Sequence, residues 1–166
     1  MEFFEGKREK IFLSSPMAGF KIKNWCAYQE RSQNETRYKL LSYGLPLDEA
    51  DHVIAILIAE NFLNEERFAV AIAGGKFRIK HWGKGKIKQE LKKHKVSDYC
   101  INKALKSIAP DDYEKVLLHV VEKKLDTLES DQRKKNFYTV LKYAVSRGFE
   151  SDLVTEKLNF LLEKHL

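Results

Sequence analysis

The sequence contains few cysteine, proline and glycine residues, and these low counts limit the class of protein. Only Cys26 and Cys100 are present among 166 residues, and they form neither a CxxC motif nor a disulfide framework. Disulfide-rich secreted folds are therefore excluded, and a reducing compartment is favoured. Three prolines and eight glycines leave long stretches uninterrupted, and 43% apolar with 33% charged residues is typical of a helical globular protein.

Long apolar runs are also missing from the sequence. No run approaches the ~20 consecutive apolar residues that a membrane-spanning helix needs. The N-terminus carries Glu2, Glu5 and Glu9 and lacks the apolar core of a signal peptide. We therefore expect a cytoplasmic protein.

Residue patterns that support catalysis are not found. The five histidines form no HExxH motif and no close pairing with a cysteine, so no metal is expected. The Gly83–Lys86 stretch is not a Walker A loop, because the required spacing before Lys-Ser/Thr is missing. Glu65 and Glu66 are more simply explained as acids that complement a helix dipole than as catalytic carboxylates. Without a nucleophile beside a base, we expect neither an enzyme nor a cofactor.

Positive charge is concentrated in one segment, Lys76–Lys95. It contains nine Lys or Arg residues and one acid, Glu90, and so carries +8, whereas the whole chain carries +6. Everything outside the segment therefore sums to −2, and such a local cationic surplus is typical of a protein that binds a phosphate backbone. The alternative is a solvated, lysine-rich helix face. The candidate residues for binding a partner or DNA are Lys76, Arg78, Lys80, Trp82, Lys84, Lys86, Lys88, Lys92, Lys93 and Lys95.

Trp82 has two interpretations. Its ring could stack on a nucleic-acid base or fill a pocket in a protein partner. It could equally fill the seam between the first and second groups of helices described below. We favour packing, because aromatic residues beside a helix start usually pack.

Apolar residues recur at intervals of three and four through most of the chain, which predicts helices with one buried face. No stretch alternates with period two for long enough to indicate a strand. After a loose arm over residues 1–14, nine helices are predicted, and Tyr38, Leu40 and Leu41 should form the buried side of the second. The fourth helix should continue through Gly74–Gly75 to about Lys80. Capping residues or prolines mark the helix starts at Ser15–Pro16, Ser32 with Glu35, Pro46, Asn64, Ser97 or Asp98, Pro110, Ser130 or Asp131, and Ser151.

The predicted helices fall into three similar groups of three. In each group an apolar residue precedes a turn by four positions, and apolar residues follow the post-turn residue by five, nine and twelve. The post-turn residues are Leu45, Val96 and Phe149, which gives periods of 51 and 53 residues. We therefore predict three tandem three-helix units (15–61, 62–109 and 110–166) stacked into an elongated, curved body. Gly44 and Gly148 suit the left-handed turn conformation, and Lys95 at the equivalent position should be strained.

Two stretches of the chain resemble a known family. Phe62-Leu63-Asn64-Glu65-Glu66-Arg67-Phe68-Ala69 is similar to the signature (Y/F)L(N/D)(D/E)xRFA of the RecX family, bacterial regulators of the recombinase RecA. Trp82-Gly83-Lys84-Gly85-Lys86-Ile87-Lys88-Gln89-Glu90-Leu91 is similar to its YGxxxIxxEL turn and helix. The resemblance covers about residues 24–162, and it departs at Lys95, where the family usually has Gly. The residues that carry the structural signature are Phe62, Leu63, Arg67, Phe68, Gly83, Ile87 and Leu91.

The resemblance implies tandem three-helix units and a non-enzymatic regulator. Its partner would be RecA, usually as a filament on single-stranded DNA, and its effect mainly suppression of the ATPase, strand-exchange and coprotease activities. Two alternatives remain open from the residues themselves: a general nucleic-acid-binding module, and a helical adaptor for another acidic protein. We expect a monomer, because no predicted unit has a surplus apolar stripe.

Overall fold

The computed structural model describes residues 12–128 and 133–164, and within these ranges the fold is all-α, as predicted, with no strand. Nine helices follow one another along the described residues: α1 (Ser15–Tyr28), α2 (Gln33–Ser42), α3 (Leu47–Ala59), α4 (Glu65–Lys80), α5 (Lys84–Lys93), α6 (Asp98–Lys106), α7 (Pro110–Leu125), α8 (Arg133–Ser146) and α9 (Ser151–Lys164).

The predicted helix caps are present at Ser32, Asn64 and Ser97 but not at α1, where Ser14 takes the cap position and Ser15 is the first helical residue. Ser32 forms a complete capping box with Glu35 at the start of α2. Asn64 accepts a hydrogen bond from the Arg67 amide at 2.8 Å, which caps α4. Ser97 rather than Asp98 caps α6, and Ser151 is the first residue of α9 instead of its cap. The predicted start of α8 at Ser130 or Asp131 lies outside the described residues.

Helix α4 runs without interruption through Gly74–Gly75, which confirms the predicted continuation to Lys80. The Arg78 guanidinium lies where a side chain at position 74 would project, 2.8 Å from the site of a Cβ. Gly74 therefore leaves room for this arginine to fold back along its own helix.

The end of the predicted N-terminal arm is anchored. The Leu13 amide donates to the Tyr43 carbonyl at 2.9 Å, and the Phe12 ring lies against Gly44. Residues 1–11 of the predicted arm lie outside the described residues.

The chain forms two compact bodies, the N-terminal body (Met1–Phe68) and the C-terminal body (Ala69–Leu166). The core of the N-terminal body is built from apolar residues of α1, α2 and α3 together with Leu45 and Leu63. The C-terminal body buries apolar residues of α4 to α9 and of the turn after α8: Ala73, Phe77, Ile87, Leu91, Ile101, Ala104, Tyr113, Leu117, Val121, Val140, Ala144, Phe149, Val154 and Leu158. The division into three units at residues 61 and 109 stays a prediction.

The buried side of α2 differs from the prediction. Thr36 and Leu40 are fully buried, whereas Tyr38 is exposed and Leu41 is at the limit of exposure. Each residue of an α-helix turns the side-chain direction by about 100°, so two residues turn it by about 200°. A tyrosine two positions from both 36 and 40 therefore lies on the opposite face of the helix. The interpretation of Tyr38 as a core residue was wrong.

The three predicted turns have the same hydrogen bonds and the same backbone conformation. Gly44, Lys95 and Gly148 have φ of 88°, 60° and 95°. In each turn the amide of the next residue donates to the carbonyl five positions earlier: Leu45 to Leu40 at 3.4 Å, Val96 to Leu91 at 3.2 Å and Phe149 to Ala144 at 3.2 Å. This is the Schellman motif, so the equal spacing in the sequence corresponds to a repeated helix ending. Of these three turn residues, only Lys95 carries a side chain in the left-handed conformation, as predicted.

The strain at Lys95 is testable. A non-glycine residue in the left-handed region costs about 1 kcal/mol, so Lys95→Gly should raise the free energy of unfolding by about that amount. Chemical denaturation followed by circular dichroism measures the change.

Gly148→Ala provides the comparison at the equivalent turn. A Cβ there would lie 2.4 Å from the Lys86 amide nitrogen, so this variant should be destabilised by about 2 kcal/mol or more. A decrease in stability for Lys95→Gly would contradict the strain at that turn.

Candidate nucleic-acid interface

The predicted binding residues lie on three consecutive elements of the C-terminal body. These are the C-terminal half of α4, the turn at residues 81–83, and α5. The segment continues past α5 to Lys95 in the Schellman turn. All ten candidates therefore belong to one continuous local structure.

Three of the lysines are held against aromatic rings. The Lys76 and Lys86 ammonium groups lie 4.8 and 4.7 Å from the centre of the Trp82 ring, and the Lys84 ammonium lies 4.6 Å from the centre of the Tyr113 ring. Such cation–π contacts stabilise by about 0.5–2 kcal/mol. They reduce the conformational freedom of side chains that would otherwise be highly mobile.

The remaining cations of the segment are exposed. Arg78, Lys80, Lys88 and Lys95 are directed to solvent, as are Lys92 and Lys93. The only acid, Glu90, lies 3.6 Å from Lys76 and 3.7 Å from Lys93, and so it is shared between two ammonium groups. Lys92 lies 3.9 Å from Asp98, an exposed pair of small energetic value. The segment therefore keeps a large positive surplus at the surface.

The glycine-containing turn before α5 packs against the turn that follows α8. The Gly83 amide donates to the Arg147 carbonyl at 2.8 Å, and the Gly85 amide donates to the Gly148 carbonyl at 2.9 Å. Between them, the Lys84 amide donates to the Tyr113 hydroxyl at 3.0 Å. Because the first amides of α5 already have acceptors, this helix end does not offer them to a phosphate. Anion binding by the segment must therefore use side chains.

Tyr113, on α7, connects the start of α5 to Phe149 and Glu150, which precede α9. Its hydroxyl accepts from the Lys84 amide and donates to the Glu150 carboxylate at 2.6 Å. Its ring is 5.9 Å from the Phe77 ring and 5.3 Å from the Phe149 ring. Burial, followed by the hydrogen bond to Glu150, raises the pKa of Tyr113 far above its ordinary value. The hydroxyl consequently remains a proton donor at physiological pH.

A groove of about 610 Å³ lies beside the basic segment. Lys84, Lys86 and Lys88 line it together with one acid, Glu150, and Leu105 and Val145 contribute apolar surface. An extended strand that carries phosphates on one edge and bases on the other matches this combination of cations and apolar surface.

Trp82 is half-buried within the segment. Two ammonium groups contact its ring, so stacking of a base would compete with at least one of them. Packing and base stacking both remain predictions for this residue.

The signature residues have structural surroundings. Leu63, Phe68, Ile87 and Leu91 are almost fully buried. A Cβ on Gly83 would lie 2.3 Å from the Gly148 carbonyl carbon, which leaves no space for a side chain.

Arg67 joins the start of α4 to two other parts of the N-terminal body. Its Nε donates to the Glu30 carboxylate at 2.5 Å, and its terminal nitrogens donate to the side chain and carbonyl of Asn61 at 3.1 Å. Asn61 has φ of 63°, so the arginine fork stabilises a left-handed turn after α3. Arg67 therefore links the start of α4 to the segments that follow α1 and α3.

The histidines in the described part of the chain take part in no candidate metal site. In residues 12–128 and 133–164, no group of three or more His, Cys, Asp or Glu side chains could hold a metal ion. His81 and His119 form an edge contact at 5.4 Å, and burial, then His119 and Arg147, lowers the pKa of His81. No helix among the described residues has both the length and the apolar character that crossing a bilayer requires.

Sequence reasoning missed three residues that support the interface. Tyr113 and Glu150 hold the start of α5, and the Arg147 guanidinium donates to the carbonyls of Lys80 and His81 at the end of α4. They lie 29 to 67 positions from their contacts in the segment. Glycines at 83, 85 and 148 were the only local signal that two backbones approach closely.

Comparisons with known proteins identify relatives. The profile of "RecX, second three-helix domain" matches residues 64–105. Regulatory protein RecX of Prosthecochloris aestuarii is 31% identical over 136 residues, which is 81% of this chain and 86% of the relative. That of Haemophilus influenzae (strain PittGG) is 29% identical over 79% of this chain and 86% of the relative. That of Clostridioides difficile is 24% identical over 86% of this chain, which spans 66% of that relative's length.

Solved structures share the fold. The crystal structure of RecX from Lactobacillus salivarius superposes with a TM-score of 0.81 at 20% identity, covering 89% of this chain and 96% of that one. A second crystal structure, of a regulatory protein RecX, has a TM-score of 0.73 at 17% identity, with 84% of this chain and 68% of that one covered. With the sequence relatives, these similarities show that the chain belongs to the RecX family of regulatory proteins.

Proposed function

We propose that this chain binds the RecA recombinase, and its filament on single-stranded DNA, and mainly inhibits the ATPase, strand-exchange and coprotease activities. The observation that supports this function is the cationic segment Lys76–Lys95, held on a rigid scaffold in a member of the RecX family. The regulator works without chemistry of its own, and its partners are the protein filament and the DNA within it.

The segment provides attraction and orientation. Charge accelerates the encounter with a polyanionic filament, and apolar contacts provide selectivity for the protein partner. Because Lys76, Lys84 and Lys86 are already held against aromatic rings, fewer rotamers are lost on binding, and less of the contact energy is offset by ordering.

Inhibition follows from occupancy. A regulator seated in the groove of the filament occupies space that an incoming duplex or a repressor would need. Strand exchange and coprotease activity both depend on that access, so both decrease with the same occupancy.

A plain nucleic-acid-binding module is the second candidate function. The groove lined by Lys84, Lys86 and Lys88 with apolar surface from Leu105 and Val145 favours it. The two functions differ in whether protein contacts contribute to binding.

Titration of this protein into RecA on single-stranded DNA tests the proposal. Steady-state ATP hydrolysis should fall with increasing protein to a low plateau, and the protein should sediment with the filament. Unchanged hydrolysis together with no co-sedimentation would exclude RecA as the partner.

The salt dependence of binding to single-stranded DNA tests the contribution of the exposed lysines. Each phosphate contact adds about 0.7 to the slope of log affinity against log salt. We therefore expect the salt dependence to become shallower, with the magnitude of the slope reduced by about 2, in the triple variant Lys88→Gln, Lys92→Gln and Lys95→Gln. Fluorescence anisotropy with a labelled oligonucleotide at several salt concentrations measures it.

A charge-matched variant distinguishes the effect of charge within the segment from the effect of the net charge of the chain. Lys21→Gln, Lys115→Gln and Lys142→Gln remove the same charge from exposed positions outside the segment, and the slope should stay near that of the parent. Equal losses in both variants would mean that general charge, rather than this segment, attracts the DNA.

A further inference from the structure

A second group of cationic side chains lies outside the groove described above. His81 follows α4, His119 and Lys123 are on α7, and Arg147 follows α8. The rings of His81 and His119 meet edge to face, with their centres 5.4 Å apart. Lys123 is on the same face of α7 as His119, because residues four apart in an α-helix are neighbours. None of the four residues lines the groove beside α5.

Two further contacts determine where the positive charge is held. The Arg147 guanidinium donates to the carbonyls of Lys80 and His81, at the C-terminal end of α4. The same guanidinium and the Lys124 ammonium lie 5.9 and 5.2 Å from the centre of the Tyr143 ring. The cations of α7 and of the end of α8 are therefore brought together beside the end of α4.

The groups that act on His81 are cationic or become so on protonation. Burial lowers the pKa of the His81 ring most, followed by the charge of the His119 ring. Arg147 and Lys123 lower it further, and among the described residues no carboxylate acts in the opposite sense. Like charges held this close destabilise one another unless an anion neutralises them.

Helix dipoles offset part of this charge but not all of it. Helices α4 and α8 both end here, and the C-terminal end of a helix carries about half a negative charge. Two such ends offset about one positive charge, whereas Arg147 and Lys123 supply more than that before either histidine is protonated. Protonation of the two rings enlarges the surplus.

The Arg147 side chain also has a donor without an acceptor. Its Nε is shielded from solvent, and no acceptor for it is present in the described part of the chain. A buried donor left unpaired is costly. A tetrahedral oxyanion carries acceptors on several sides, and so it suits a guanidinium that lies beside two imidazole rings and an ammonium group.

We propose that this cluster, the two-histidine site (His81, His119, Lys123 and Arg147), binds one phosphate group. The inference goes beyond the proposed function, because it does not require RecA as the partner. The site is in the C-terminal body, which has twenty-one Lys or Arg residues against thirteen acids and so attracts anions, whereas the N-terminal body has nine against eleven. The phosphate belongs either to a nucleic-acid backbone or to a small molecule, and the two sources are separated below.

Binding of the phosphate should take up protons. A bound anion favours the imidazolium form and so raises the pKa of His81, which burial and the cationic neighbours lower in the free protein. By linkage, the site binds an anion more tightly as the pH falls. A rise of about one unit increases the affinity by up to about tenfold between about pH 8 and about pH 5.

Histidine ring signals in a proton–carbon NMR spectrum of the full chain test the site, with sodium sulfate as the probe because its charge is constant over this pH range. Millimolar sulfate should shift the His81 and His119 signals to saturation and raise the pKa of His81. Sodium chloride at the same ionic strength controls for screening, and the exposed His52 ring should not respond. Shifts that do not saturate, or that chloride reproduces, overturn the proposal.

His81→Asn separates the site from the fold. His81 has φ of 51°, and asparagine adopts the left-handed conformation readily, so the variant should keep the melting temperature of the wild type. It should weaken sulfate binding at least about fivefold, as should Lys123→Gln, because each removes a charged donor. His52→Asn is the matched control and should bind sulfate like the wild type. A folded His81→Asn variant that also binds like the wild type overturns the site.

A labelled single-stranded oligonucleotide distinguishes the two sources of the phosphate. If the group belongs to a nucleic-acid backbone, anisotropy should show tighter binding at about pH 6 than at about pH 8, and His81→Asn should remove most of that difference. If the oligonucleotide shows no such difference while sulfate still saturates the site, the phosphate is that of a small molecule. Neither readout uses RecA, so failure of the two-histidine site and failure of the proposed function are distinguishable.

Discussion

The C-terminal body depends on the contact between two backbone turns, one before α5 and one after α8. The Gly83 and Gly85 amides donate to carbonyls of Arg147 and Gly148, across a distance that excludes side chains at both turns. A backbone approach of this kind gives two amides at the start of α5 their acceptors among the carbonyls that follow α8. The start of α5 and the end of α8 are therefore joined by a contact that only glycine allows at positions 83 and 148.

This contact determines how the positive charge can act. Because the α5 amides are already bonded, the charge that a partner meets is carried by side chains, and the surrounding aromatic residues hold several of them. Tyr113 is central, since its hydroxyl bonds the Lys84 amide while the Lys84 ammonium lies over its ring. A glycine-rich turn beside lysines has the composition of a phosphate loop, yet here the glycines permit close backbone packing and their amides donate to carbonyls of the protein. The role of such a turn follows from where its amides donate.

Local features of the fold could be predicted from the sequence, because each is set by residues a few positions apart. The capping box at Ser32, the continuous α4 and the left-handed Lys95 are of this kind. Features that need a distant partner could not: nothing near Tyr113 indicates its bonds to Lys84 and Glu150. Tyr38 shows a second limit of prediction from sequence, because an aromatic ring on a short helix does not indicate which face of that helix is buried. For the candidate site, the cationic segment was readable from composition, but which lysines are held and which are exposed depends on aromatic residues from other helices.

The two bodies carry opposite net charge, −2 for the N-terminal body and +8 for the C-terminal body. Attraction to a polyanion therefore acts on the C-terminal body, whose cationic segment holds one acid, Glu90, among nine Lys or Arg residues. Salt weakens an attraction of this kind, whereas the apolar cores of the two bodies are little affected by it. Salt dependence consequently separates the binding contribution of the cationic segment from the stability of the fold.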